Sequence, residues 1–199
     1  MLTAAALVLL GYALGSLPFS VWLVRWSRHA DVRAFGDGNP GAANAWGLAG
    51  WRLGVVILVL DVLKAAAAPA LAVYVFGVPA WGLVAVALAP IVGHITSPWL
   101  GFRGGKGIAS TFGVWAVLTL WLVPTTFGLS LALLLCVQSE RAWTVILAWL
   151  AGLVVLAAVR PEPALLAASV ANGLLLAWTH RSGLRRVPRF HAPFGSPIR

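Results

Sequence analysis

Three clusters of residues have types and spacings suited to chemistry on an anion. The first is the run FGDGNPGAANAWG, Phe35 to Gly47. Gly36, Gly38 and Gly41 tolerate positive φ and close approach, so backbone N–H groups can converge there. Asn39 and Asn44 add amide donors, and Asp37 adds a carboxylate able to take a proton from a hydroxyl or to cap the turn. The second is the run GHITSPWLGFRGGKG, Gly93 to Gly107. Gly104, Gly105 and Gly107 surround Lys106 directly before an apolar helical stretch. A helix start offers free N–H groups and partial positive charge, so phosphate is favoured there, and Arg103 and Lys106 add full charges. The spacing is not that of a Walker A loop. The third is Asp61 with Lys64, three residues apart and so on one helix face, inside an apolar run where ionisable groups are expensive. An ion pair ordering the helices and a functional role both fit them. His94 and His180 each end an apolar run. No His/Cys/Asp spacing suits zinc, no G-x-S-x-G elbow occurs, and no cofactor is implied.

The elements that must position these residues are membrane helices. Of 199 residues, 61% are hydrophobic and 10% charged, and mean hydropathy is +0.93. A soluble domain is about 45–50% apolar and about 25% charged. The pI near 11.5 and net charge of +9 suggest a nucleic-acid binder. That reading fails because the bases lie between apolar runs too long for a small soluble core. The lone cysteine, Cys136, excludes a disulfide framework. Leu2–Trp26 is too long for a signal h-region, and no small-residue cleavage site ends it, so no cleavable signal is expected.

Seven apolar segments follow from the roughly 20-residue requirement for a span: Thr3–Leu23, Leu53–Phe76, Ala80–Thr96, Ile108–Leu122, Thr126–Val137, Trp143–Val159 and Ala164–Thr179. Pro124 is expected to break the fourth from the fifth, and Ser27–Gly50 to be a polar loop. The expectation is an all-α, polytopic integral membrane protein of one domain, residues 1–199, ending in a basic tail, 182–199. With the N-terminus outside, the inner regions hold Arg25, Arg28, Arg33, Arg52, Arg103, Lys106, Arg141, Arg181, Arg185, Arg186, Arg189 and Arg199; the outer ones hold Arg160. This bias places the C-terminus and both glycine loops in the cytoplasm. The expected ligand is a phosphate-bearing molecule at the bilayer surface, not a nucleic acid.

The motifs G-S-L-P-F (Gly15–Phe19), GDGNPGAAN (Gly36–Asn44), D-V-L-K (Asp61–Lys64), Gly93–Gly107 and His180-Arg181 occur in an order and spacing that resembles the acyl-phosphate:glycerol-3-phosphate acyltransferases of bacterial inner membranes. The resemblance runs from about Gly15 to Arg186. It implies seven transmembrane helices with cytoplasmic signature loops. It also implies transfer of an acyl chain from acyl phosphate to the 1-hydroxyl of glycerol 3-phosphate, giving lysophosphatidic acid for phospholipid synthesis. Asp37, Lys106 and His180 would then be catalytic. Gly36, Gly38, Asn39, Gly41, Asn44, Asp61, Lys64, His94, Arg103, Gly104, Gly105, Gly107 and Arg181 would bind the phosphorylated substrates. This chain departs from the family pattern at several positions. Asp37 replaces a Ser, Ala43 a Thr, Gly47 an Arg and Ala65 a Gly, and Ser182-Gly183 replace Glu-Asn. Arg33, Arg52 and Arg103 are candidates to replace the lost arginine. A changed phosphorylated acceptor, or a non-enzymatic binder or carrier of anionic lipid, stay open beside the acyltransferase reading.

Overall fold

The computed structural model describes residues 1–190; the end of the basic tail, 191–199, lies outside them. It is all-α. The helices are α1 (Leu2–Ser16), α2 (Phe19–Arg28), α3 (Ala42–Ala49), α4 (Trp51–Ala70), α5 (Ala80–Ile95), α6 (Ile108–Thr119), α7 (Leu122–Leu135), α8 (Arg141–Val159), α9 (Pro163–Thr179) and the single turn α10 (Arg181–Leu184). Among the described residues no strand forms. Four stretches are long and apolar enough to cross a membrane: Leu2–Arg28, Trp51–Val75, Ala80–Leu100 and Arg141–Val159. Helices α6, α7 and α9 are apolar but shorter. Leu9, Val59, Leu63, Leu133, Val154 and Leu174 are all exposed, an apolar surface of the kind that lipid covers.

Three expectations are corrected. The first segment is not one helix. Leu17 is extended (φ −62°, ψ 119°), because Pro18 has no N–H and disfavours a helical residue before it. The two carbonyls freed at the end of α1 gain donors from elsewhere: Ser97 Oγ donates to Ser16 O (2.6 Å) and Lys64 Nζ to Leu17 O (2.5 Å). Secondly, the fourth and fifth segments part at Leu120 and Trp121, both left-handed (φ 46° and 71°), and not at Pro124. That proline sits in the first turn of α7, where its missing N–H would have had no helical partner. Thr119 Oγ1 spans the break, donating to Trp115 O and accepting from Val123 N. Thirdly, the region expected to be a plain polar loop contains α3 and a 3₁₀ turn, Val32–Ala34.

The helices pack through small residues, since lipid gives apolar faces little reason to seek each other. Gly11 and Gly15 stand four apart on α1 and face α5. A Cβ on Gly15 would lie 2.2 Å from Pro90 O, and one on Gly93 would lie 2.3 Å from Tyr12 O. On the α4–α6 seam a Cβ on Gly113 would lie 2.1 Å from Val62 O. The main core joins α4 through α9 around Trp115, Phe127 and Trp149, the Trp149 ring meeting the other two edge to face. Asn172 is fully buried there, accepting from Trp115 Nε1 (2.8 Å) and donating to Thr111 Oγ1 (3.2 Å).

Candidate active site

The first loop is built on a fixed entry and a short turn. Asp31 accepts from the backbone N–H and the guanidinium of Arg33, and pairs with Arg25 at 3.3 Å. The Arg33 bond, opposed by partial burial, holds the Asp31 carboxyl well below the usual range. Ser20 Oγ donates to Pro40 O (2.8 Å) and ties the loop to α2. Gly36 and Gly38 take φ of +61° and +74°, which only glycine adopts without strain. Asn44, on α3, reaches back over this turn. Its Nδ2 donates to Phe35 O (2.9 Å), Asn39 O (3.0 Å) and Asp37 Oδ1 (2.9 Å).

The second loop is built on the end of α5. Gly104 N donates to Ile95 O (2.9 Å) and Gly105 N to His94 O (3.0 Å). A Cβ on Gly104 would lie 1.9 Å from His94 O, and one on Gly105 2.2 Å from His94 Nε2. The Gly104 and Gly105 amides thus already have partners. They are spent on carbonyls, and the glycines serve close approach to α5. Gly107 (φ +84°) starts α6, and Lys106 stands between. Lys106 O accepts from Thr179 Oγ1 (3.0 Å), so the end of α9 also holds this loop.

The two loops meet at one ion pair, Lys106 Nζ to Asp37 Oδ2, 2.6 Å. Partial burial works against the Asp37 charge. The bonds from Lys106, the Asn39 amide and Asn44 outweigh it, and the pKa falls to about 2. In this arrangement Asp37 is an anion paired with Lys106.

His180 caps α9 and is buried. Its Nδ1 lies 2.8 Å from Leu176 O. A carbonyl only accepts, so the proton sits on Nδ1 and Nε2 keeps its lone pair. Burial holds the imidazole below its ordinary value near 6.5; the Leu176 bond opposes this, Lys106 reinforces it, and Asp37 opposes it. His180 is thus a neutral imidazole adjoining Thr179, which holds Lys106.

Asp61, Lys64 and His94 form a separate buried cluster. Lys64 Nζ lies 2.7 Å from Asp61 Oδ1 and 5.5 Å from the Phe19 ring centre. His94 Nδ1 is 3.9 Å from Asp61 Oδ1. The free space beside them is small, about 10 Å³. They link the end of α1 to α4 and α5. Arg181 is likewise turned to Trp178, bonding its carbonyl at 2.9 Å and lying over its ring.

Of the candidates to replace the missing arginine, Arg52 lies over Trp51. Arg33 and Arg103 line an open cleft of about 460 Å³ with Asp31, Ala34, Gly38 and Leu100. At Gly47 a Cβ would lie 2.7 Å from the Phe35 ring, so Phe35 fills the space beside that position. Sequence reasoning passed over Phe35, Ser20, Ser97 and Thr179, each of which anchors a loop by one contact that no local pattern announces.

An all-α fold with apolar helices long enough to span a membrane, whose two glycine-rich loops meet at Lys106 and Asp37, defines a membrane-embedded class of protein. The comparisons narrow it. The family model described as glycerol-3-phosphate acyltransferase matches residues 5–189. A relative from Deinococcus radiodurans named glycerol-3-phosphate acyltransferase 1 is 38% identical over 94% of this chain and 92% of its own. One from Synechococcus sp. (strain JA-2-3B'a(2-13)) is 37% identical over the same shares. A Myxococcus xanthus relative is 50% identical over 57% of this chain and 59% of its own length. The crystal structure of PlsY, an integral membrane glycerol 3-phosphate acyltransferase in its glycerol 3-phosphate form, superposes with TM-score 0.83 at 30% identity, covering 92% of this chain and 90% of that one. The chain belongs to the glycerol-3-phosphate acyltransferase family.

Proposed function

We propose that the chain is a multi-pass enzyme of the bacterial inner membrane that acylates the 1-hydroxyl of glycerol 3-phosphate from an acyl phosphate. The products are lysophosphatidic acid and inorganic phosphate. The observation that carries this is the position of Lys106, whose ammonium projects from the second glycine loop onto the first. Both substrates bear phosphate, and a fixed cation at the junction of two loops suits a phosphate that gains charge as it leaves. His180, neutral and with Nε2 unprotonated, takes the proton of the attacking hydroxyl. The hydroxyl oxygen bonds to the acyl carbon, the carbon–oxygen bond to phosphate breaks, and the electron pair leaves with phosphate. Asn39, Asn44, Gly36, Gly38, Gly41 and Gly107 shape the pocket, Arg103 and Arg33 supply further positive charge, and no cofactor takes part. The active face is cytoplasmic, with seven spans and the N-terminus outside, a reading supported by the distribution of arginine and lysine.

The test is product analysis on purified protein in detergent with palmitoyl phosphate and glycerol 3-phosphate. Lysophosphatidic acid is expected; acyl transfer only to another phosphorylated alcohol would overturn the assigned acceptor. That second reading is favoured by Asp37, which neutralises Lys106. For topology, in a Cys136→Ser background, an external thiol reagent should label Pro79→Cys and Pro161→Cys but not Ala34→Cys, all three positions being exposed.

A further inference from the structure

We propose that the Asp37 carboxylate is the resident anion of an oxyanion site and that a phosphate ligand must displace it to engage Lys106. The proposal rests on the reading of Lys106 as the phosphate-binding cation. Three donors from two loops converge on this one side chain. Asn39 N–H and Asn44 Nδ2 donate to Oδ1 at 3.2 and 2.9 Å, and Lys106 Nζ donates to Oδ2 at 2.6 Å. A backbone amide, a side-chain amide and an ammonium around two anionic oxygens make the donor set that binds a phosphate monoester.

The donors are held by groups other than Asp37. Asn44 Nδ2 shares its two hydrogens among Asp37 Oδ1, Phe35 O and Asn39 O, so it is held in place and offers an incoming anion a shared bond. The Lys106 backbone is pinned by Thr179 on one side and by the Gly105–His94 bond on the other. When the carboxylate turns away, the donors stay in place. The carboxylate can turn away because its side chain is 53% exposed and Lys106 is 36% exposed, and ion pairs this open are weak. Its two sequence neighbours, Gly36 and Gly38, carry no side chains to hinder the turn.

The consequence is a selectivity filter. A ligand must bring more negative charge than one carboxylate, so phosphate monoesters enter and carboxylates or neutral alcohols do not. The exchange also restrains binding of inorganic phosphate, a product of the proposed reaction, since every phosphate competes with a tethered anion.

The experiment is calorimetric titration of inorganic phosphate and of glycerol 3-phosphate into detergent-purified wild type, Asp37→Asn, Asp37→Ser and Lys106→Ala, with melting temperatures confirming that each is folded. Removing the tethered competitor should tighten both ligands by about tenfold in Asp37→Asn and Asp37→Ser, an order of magnitude set by the weakness of exposed pairs. Lys106→Ala should weaken both. A role limited to capping the turn predicts no change in Asp37→Asn, since Asn caps as well as Asp. Unchanged or weaker binding in both Asp37 variants, with binding lost in Lys106→Ala, overturns this proposal alone. Wild-type binding in Lys106→Ala overturns the phosphate reading, and this proposal with it. Should Asp37→Asn fail to fold, Asp37→Ser decides the matter.

Discussion

Two aspartate–lysine pairs sit in this chain, one behind the second loop and one in front of it. Asp61 and Lys64 share one helix, three residues apart, with side chains 3% and 4% exposed. Around them stand Leu17 O, the Phe19 ring and His94. Asp37 and Lys106 are 69 positions apart, and both are open to water. The chemistry is the same and the consequence opposite. A buried pair has no substitute for its partner, because neither charge can find water, so it fixes three helices in one arrangement. An exposed pair exchanges its partner easily, because water or a ligand offers nearly as much. One pair suits a frame, and the other suits a site.

The largest effect should come from breaking the buried pair. Lys64→Ala leaves the Asp61 carboxylate unpaired and should cost about 3–5 kcal/mol, read as thermal unfolding in detergent. Asp61→Asn with Lys64→Met should recover much of it. Asp37→Asn should cost no more than about 1 kcal/mol of stability; equal losses at the two sites would erase the distinction. Next, Lys106→Ala should leave the melting temperature nearly unchanged and lower turnover by tenfold to over a hundredfold. That follows from a charge-assisted bond worth about 1.5–3 kcal/mol.

Gly104→Ala sharpens the comparison by moving the frame under an intact exposed pair. Its Cβ must displace the α5 backbone, at a cost of about 1–3 kcal/mol, and turnover should fall at least about tenfold. Gly128→Ala, whose Cβ would meet Phe112 only at 3.5 Å, should stay within twofold of wild type.

A smaller effect is expected from pH. His180 has its folded pKa below the ordinary value of 6.5, so its neutral form is complete at pH 8 and declines as pH falls through the lowered value. Turnover at pH 6 should therefore drop by less than about fourfold from that at pH 8. Stability follows the same sign. The folded state binds fewer protons, so the contribution of His180 is full above 6.5 and is lost as pH falls toward the folded pKa. Asp37, at about 2, stays ionised throughout. A pH–rate profile flattened in His180→Gln would assign the limb; an unchanged limb would remove His180 as the base. The smallest effect belongs to Arg28→Ala, which loses one bond to Ala49 O (3.1 Å), and should change turnover less than twofold.

The all-helical membrane character was legible because length and hydropathy are properties of whole runs, and four of those runs form helices long and apolar enough to span. The breaks were less so. Pro124 reads as a breaker, yet at the start of α7 it is harmless, while the break falls on Leu120 and Trp121, whose types give no sign of left-handed backbone. Within the site, Lys106, Asp37 and His180 were visible as residue types. That Asp37 closes on Lys106 required two loops far apart in sequence to meet. Gly104 and Gly105 show the limit most clearly. Glycine signals close approach to something, and sequence cannot distinguish a phosphate from the carbonyls of His94 and Ile95.

The glycine seam between α1 and α5 has a mechanical consequence. With Gly15 against Pro90 and Gly93 against Tyr12, the two backbones touch with no side chain between them to act as a bearing. They cannot roll or slide over each other without collision, so they move as one rigid beam. The second loop is bolted to the end of that beam through Gly104 and Gly105. Lys106 is thus the stationary jaw of the site. Against that fixed support, the part of the pair left free to turn is the Asp37 side chain, open to water on the first loop.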